Sequence, residues 1–313
     1  MERIPLPVVA GPTACGKTAL AVELARRLDG EIVSADSMQI YADLSIGTAR
    51  PSQNEMKGVL HHLQGFLSLT ESYSVARYVE DAGRAIRDIL VRGKRPIVCG
   101  GTGLYISSLI NHLDFMDDSG PSPLREQLME RARSEGGGAL LAELAVVDPQ
   151  TAARLHEHDV VRIVRALELY RNTGVTMSEQ LRRSREVPSP YNACVLFLTC
   201  RDREWLYDRI NRRVDRMLES GLAEEAKHLQ GSPDAPTAIQ AIGYKELFPF
   251  LEGELSLAQA AENLKRSTRR YAKRQLTWFR RMTDALPVYA DEYESVGRMC
   301  DRAVQLLGEH YHW

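Results

Sequence analysis

The sequence predicts an α/β fold: a P-loop NTPase-like parallel sheet flanked by helices, carrying an all-helical insertion. Three observations predict it. First, an apolar run, Val8 to Ala10, leads into Gly11-Pro-Thr-Ala-Cys-Gly-Lys-Thr18 and then into a helical pattern from about Lys17 to Leu28. Strand, glycine loop and helix in that order form a phosphate-binding motif. Second, a short strand, Glu31 to Ala35, follows Asp29-Gly30, so the start of the chain makes a parallel βαβ unit. Third, residues 114–192 carry short helical patterns and no strand pattern.

The elements follow in order. Met1 to Ala10 reads as the first strand, with Pro5 and Pro7 expected to confine its regular part to the last few residues. Ala19, Leu20, Val22, Leu24, Ala25 and Leu28 recur at helical spacing. Ile46 to Ser52 is a loop. Tyr73-Ser74 precedes a helix from Val75 to about Val91, which Arg92-Gly93 closes. Arg95 to Cys99 is a third strand, running into Gly100-Gly-Thr-Gly-Leu-Tyr105.

Asp117 to Pro123 reads as a linker. Helical stretches are expected at 124–134, 140–146, 150–156, 160–173 and 177–184, with Gly136 to Gly138 separating the first two. Asp148-Pro149 supplies an N-cap and a first-turn proline, and Gly174 a stop. A buried strand returns at Ala193 to Thr199. After it come a charged helix, Glu204 to Glu219, a long helix from Leu257 to about Arg281, a last strand at 287–289 and a helix at 295–307. The expected domains are 1–113 with 193–313 as the α/β core, and 114–192 as the insert.

The chain has 313 residues, with 40 lysines and arginines against 42 aspartates and glutamates. Net charge therefore does not identify a nucleic-acid binder. The five cysteines are odd in number and lack metal-ligand spacing, which fits reduced thiols and a cytoplasmic protein. The start lacks the charged and apolar regions of a secretory leader. No apolar run approaches membrane-spanning length, so no membrane association is expected.

The chemistry-bearing residues cluster at strand ends. Gly11 and Gly16 permit backbone that a Cβ would hinder. The N–H groups of the loop, through Thr13, Ala14 and Cys15, face an anion together with the helix N-terminus. Lys17 adds a point charge, and the Thr18 hydroxyl can hold Mg²⁺. The motif alone does not say which di- or triphosphate binds. Asp36, at the end of the second strand, can coordinate magnesium, take a proton from a nucleophile, or cap a turn.

Gly100-Gly101-Thr102 stands where an ordinary P-loop NTPase ends a strand in aspartate, and suits close approach of a ligand. His61-His62 reads as structural or substrate-lining. Arg209 and Arg213, one turn apart, sit where a P-loop kinase carries a phosphate-closing lid, an analogy only. Arg162 and Arg165 share a helix face and either contact phosphates or are solvated. Lys265, Arg266, Arg269, Arg270, Lys273 and Arg274 form a two-wide basic stripe, with Glu262 the one acid between 260 and 281. A one-signed stripe interleaved with Tyr271, Trp278 and Phe279 points to RNA or DNA phosphates.

These residues together resemble the bacterial tRNA dimethylallyltransferases. The resemblance rests on Gly11 to Thr18, Asp36-Ser-Met-Gln-Ile-Tyr41, Gly100 to Tyr105, Gln240-Ala-Ile-Gly-Tyr-Lys-Glu246 and Arg270-Tyr-Ala-Lys-Arg-Gln-Leu-Thr-Trp-Phe279. It runs over nearly the whole chain, without the zinc-finger tail of the eukaryotic members. It implies that the loop, with Arg209 and Arg213, holds dimethylallyl diphosphate, and that Mg²⁺ is the cofactor. It implies that N6 of the adenosine 3′ to the anticodon attacks the allylic carbon after leaving its stack.

By the same resemblance Asp36 accepts the N6 proton and Thr102 positions the amine. Ser37, Met38 and Gln39 line the base pocket, Gln39 pairing with a base edge. Arg125 and the segment Val161, Arg162, Ile163, Val164 and Arg165 touch the tRNA anticodon stem-loop, as do Gln240, Gly243, Tyr244 and Lys245. Val161 stands where many members have glutamine. A monomer is expected. Two other readings stay open on residues alone: a P-loop kinase, which leaves the basic stripe unexplained, and a nucleotide-gated RNA-binding protein without chemistry.

Overall fold

A computed structural model describes residues 3–112, 122–232, 235 and 237–312. The chain runs β1 (Ile4–Ala10), α1 (Lys17–Leu28), β2 (Gly30–Ala35), β3 (His61–His62), α2 (Val75–Val91), β4 (Arg95–Gly100) and α3 (Gly103–Ile110). Next come α4 (Pro123–Glu135), α5 (Gly137–Val147), α6 (Val160–Thr173) and α7 (Met177–Glu186). The chain then returns through β5 (Tyr191–Thr199), α8 (Arg203–Glu219), α9 (Leu222–Gln230), α10 (Leu257–Phe279), β6 (Leu286–Tyr289) and α11 (Val296–Tyr311). Residues 117–121 of the expected linker lie outside the described residues.

The strands form one sheet in the order β3-β2-β4-β1-β5-β6, and every pairing is parallel. Parallel pairing puts all the carboxyl ends at one edge, where ligands of open α/β sheets bind. The phosphate loop, Asp36 and Gly101-Thr102 follow β1, β2 and β4, so topology alone brings them to that edge.

β1 departs from expectation: it is regular from Ile4, prolines included. The N–H of Ile4 bonds the Pro190 carbonyl on the β5 side, so alternation turns Pro5 and Pro7 toward β4. The β1–β4 ladder begins only at Val8, so neither missing N–H is needed. Four other elements differ. β3 is a two-residue edge strand, too short to carry a pattern. β5 starts at Tyr191, two residues before the expected 193. The third insert helix stops at Ala152 rather than 156, and α5 begins inside the glycine run at Gly137.

Residues 1–110 and 190–313 form one compact unit, and residues 111–189 another. In the first, Leu6, Val8, Leu20, Leu24, Ile97 and Leu196 are among the fully buried side chains of the main core. A second cluster, including Ile40, Leu44, Leu67, Leu222, Tyr244 and Leu264, packs the segment after β2 against α9 and α10. That cluster fixes the Asp36 turn relative to α10. The helical unit has its own core, built from Leu128, Leu140, Leu144, Ile163, Val164 and Leu167. Its α7 start is tied to the turn at 148 by Asp148, which accepts from the N–H groups of Thr151 and Ser178 at 3.1 and 3.0 Å. Among the described residues, no helix is long and apolar enough to cross a membrane.

Candidate active site

The phosphate loop is shaped by its glycines. Gly11 has φ 146°, and a Cβ there would lie 2.4 Å from the Leu198 carbonyl oxygen, so no side chain fits. Lys17 Nζ donates to the Pro12 carbonyl oxygen at 2.7 Å. Burial pushes the Lys17 pKa down, which marks an ammonium surrounded by too little counter-charge. An anion held in the loop would supply that charge. Cys15 Sγ lies 3.5 Å from the Thr199 carbonyl, and burial pushes its pKa up to about 12. It packs as a neutral thiol and contributes its backbone only.

Two cationic side chains from α8 reach the same place. Arg209 Nε donates to the Ala14 carbonyl oxygen at 2.8 Å, with its guanidinium 4.7 Å from the Trp205 ring centroid. Arg213 lines the adjoining cavity, and burial lowers its pKa in the same way as that of Lys17. Both side chains therefore stand beside the phosphate loop.

Asp36 sits in a turn held at two points. Its Oδ1 accepts the N–H groups of Met38 and Gln39 at 2.9 and 3.3 Å. Among the described residues, its other oxygen carries no hydrogen bond. Turn-capping and chemistry are therefore compatible in one carboxylate. Thr102 Oγ1 accepts the Ser37 N–H at 3.0 Å and donates to Ser37 Oγ at 3.4 Å. Thr102 thus braces the turn that carries Asp36, through Ser37, which lines the cavity.

Gln39 differs from expectation. Its Nε2 donates to the Thr48 and Ala49 carbonyls, both at 3.2 Å, and its Oε1 accepts from Gln64 at 3.0 Å. Both amide hydrogens are spent on the fold, so Gln39 lines the pocket with its Oε1 alone left to accept a further bond.

The loop and the turn open onto one cavity of about 360 Å³. Thr13, Lys17 and Thr18 line it from the loop, and Asp36, Ser37 and Met38 from the turn. Tyr271, Arg274 and Gln275 of α10 complete that side, while Gln240, Gly243 and Lys245 border it from the segment after α9. His61 lines it too, whereas His62 is turned away, with Nε2 2.6 Å from Glu31 Oε2. Among the described residues no group of three or more histidine, cysteine, aspartate or glutamate side chains stands together as a metal site would need. For Mg²⁺ the fit is Thr18 plus ligand oxygens, the sparse protein donor set that this ion accepts alongside phosphates.

The basic stripe on α10 is split. Arg266, Arg270, Lys273 and Arg274 are exposed. Lys265 is only 15% exposed, its ammonium held by Asp215 at 2.7 Å and Glu262 at 3.3 Å. Arg269 donates to Asn211 at 2.6 Å. Helical periodicity turns these two onto α8. Tyr244 is fully buried and donates to Glu225 at 2.8 Å, so it holds the fold rather than a nucleotide.

In the helical unit, Val161 is 72% exposed, and Arg162 is exposed too. Ile163 and Val164 are core residues, which corrects their expected contact with RNA. Arg125 and Arg165 both donate to the buried Glu168 at 3.0 Å. Burial opposes ionisation of Glu168, but Ser122 and these arginines hold its pKa below the usual carboxylate range.

Sequence reasoning missed Gln275 and Glu225, and read Tyr271 only as an aromatic interleaved in the basic stripe. Gln275 and Tyr271 stand one helical turn apart within a basic run, a polar pair that charge counting overlooks. Glu225 accepts the N–H groups of Ser45, Ile46 and Gly47 at 2.9, 3.0 and 2.9 Å, and so holds the loop that borders the cavity.

The IPP transferase family pattern matches residues 39–282, and that of the isopentenyl transferases residues 4–63. A tRNA dimethylallyltransferase of Acetivibrio thermocellus is 47% identical over 290 residues, covering 92% of each chain. One of Halalkalibacterium halodurans is 47% identical over 277 residues, covering 88% of each. The full-length tRNA isopentenylpyrophosphate transferase of Bacillus halodurans superposes with a TM-score of 0.71 at 39% identity, over 98% of each chain. A eukaryotic dimethylallyltransferase acting on tRNA gives a TM-score of 0.81 at 30% identity, over 97% of this chain and 78% of that one. This chain belongs to the IPP transferase family.

Proposed function

We propose that this protein transfers the dimethylallyl group of dimethylallyl diphosphate to N6 of the adenosine 3′-adjacent to the tRNA anticodon, position 37, releasing pyrophosphate. The observation that carries this reading is the single cavity shared by Lys17 and Thr18 on one side and Asp36 on the other. A diphosphate held at the loop leaves its organic tail in that cavity. An extruded adenine meets the tail there beside a carboxylate with an uncommitted oxygen.

The adenine N6 lone pair forms the new N–C bond to the CH₂ carbon that carries the diphosphate. The C–O bond to the diphosphate breaks, and its electron pair leaves with pyrophosphate. Asp36 takes the proton released from N6. Lys17, Arg209, Arg213 and the loop N–H groups stabilise the growing charge on the leaving group. Magnesium, held by Thr18 and the diphosphate, would add charge neutralisation there. The exposed cations of α10 meet the RNA backbone. The reading includes a monomer working in the cytoplasm, which the five free cysteines suit.

The test is to incubate the protein, Mg²⁺ and unmodified tRNA with either dimethylallyl diphosphate or ATP. A gain of one dimethylallyl mass on tRNA with the prenyl donor alone supports the reading. ADP formation favours a kinase, and RNA binding without product favours a binding protein.

A further inference from the structure

We infer that Gln275 is a positioning residue that fixes the spacing between the phosphate loop and the glycine turn after β4, and through it the diphosphate site. Its side-chain Oε1 accepts the Thr13 N–H at 2.9 Å, and its Nε2 donates to the Gly101 carbonyl oxygen at 2.9 Å. One partner is a donor and the other an acceptor, so the amide orientation is fixed by chemistry. Asparagine offers the same two groups on a stem one methylene shorter.

The bridge stands where the sheet stops helping. The β1–β4 ladder ends at the pair Ala10 and Gly100, and both loops begin at the next residue. Gln275, 6% exposed, ties the two together beyond that point. The fit is tight on the far side as well: a Cβ on Gly101 would lie 2.3 Å from Gln275 Nε2. The bridge also withdraws one N–H, that of Thr13, from any anion in the loop. It therefore sets both the position of the loop and the number of donors left to a diphosphate. Misplacing catalytic parts by about 1 Å costs on the order of 10²-fold in rate, which gives such a brace its worth.

The inference deepens the proposed function and rests on its reading of the loop as a diphosphate site. Its test uses inorganic pyrophosphate with Mg²⁺, measured by calorimetry on the full chain, and needs neither RNA nor turnover. A failure to see prenyl transfer is thus distinct from a failure here.

Gln275→Ala is expected to weaken pyrophosphate about tenfold, a loss of the size expected for one or two uncompensated hydrogen bonds. Gln275→Glu at pH 8 is expected to weaken it more, because a carboxylate faces the Gly101 carbonyl. At pH 5.5 the affinity of that variant, as a ratio to wild type at the same pH, is expected to recover to within about threefold. Its protonated form again accepts from Thr13 and donates to Gly101, and burial favours that form. The anticodon stem-loop should bind both variants within about twofold of wild type. Pyrophosphate affinity of Gln275→Ala within about twofold of wild type would overturn the inference. So would an equal deficit of Gln275→Glu at both pH values, or a parallel loss of RNA affinity, which general loosening of α10 would produce. Should Gln275→Ala fail to fold, the two pH values of Gln275→Glu decide the matter.

Discussion

Arg209 Nε donates to the Ala14 carbonyl oxygen at 2.8 Å, across 195 residues of chain. Among the described residues only its Nε is hydrogen-bonded, which leaves the other two nitrogens to face a ligand, and the bond holds the lid residue against the loop. Because Arg209 is itself exposed, its removal should leave the fold intact. Arg209→Ala is expected to lower kcat about 10²-fold, the scale for losing one donor to developing charge, with the melting temperature shifted by under about 2 °C. Steady-state kinetics beside thermal melting checks both. A kcat within a few-fold of wild type would remove Arg209 from the leaving-group site.

Glu225 carries the loop at 45–47. Its carboxylate is opposed by burial, but the N–H groups of Gly47, Ile46 and Ser45 and the Tyr244 hydroxyl outweigh this and hold its pKa below the usual range. Glu225→Gln turns an acceptor of several N–H groups into a half-donor, and is expected to destabilise the protein by about 2 kcal/mol near neutral pH. The sign of the pH dependence follows from the depressed folded-state pKa. The stabilisation is fully present above the unfolded-state pKa of about 4.3, and is lost as pH falls through the lower folded-state value. The gap between wild type and variant in denaturant unfolding should therefore close as pH drops below about 4. A gap that widens in acid would contradict the assignment.

The two sides of α10 should behave differently toward RNA. Arg270 is exposed, whereas Lys265 is neutralised by Asp215 and Glu262. Arg270→Ala is expected to weaken binding of the anticodon stem-loop and reduce the log–log salt slope by about 0.7 to 0.9. Lys265→Ala should leave that slope unchanged. Binding titrations from 50 to 300 mM salt, on the order of that span, separate the two. Equal slopes in both variants would count against an RNA-binding face.

What the sequence could reveal divides along physical lines. The phosphate loop was legible because its signal is local: a strand, a loop and a helix within one short stretch. The parallel sheet was legible because apolar strands alternate with helices. β3 was not, since two residues carry no period. The resemblance puts the whole insert segment 161–165 against the tRNA, but a helix turns Ile163 and Val164 inward while Val161 stays out. The same period hides Lys265 and Arg269 within an apparent stripe. Gln275 and Glu225 hold backbone groups 174 or more residues away in the chain, and nothing local announces such a contact.

The central claim is that Asp36 accepts the proton from the attacking amine in a cavity it shares with the donor. The most direct measurement is the single-turnover rate of Asp36→Ala with donor and tRNA both saturating. The account predicts a fall of about 10² to 10⁴-fold, the range for a lost general base, with the dissociation constants of both substrates within about threefold of wild type. A single-turnover rate near that of wild type, or a loss confined to tRNA affinity, would contradict it.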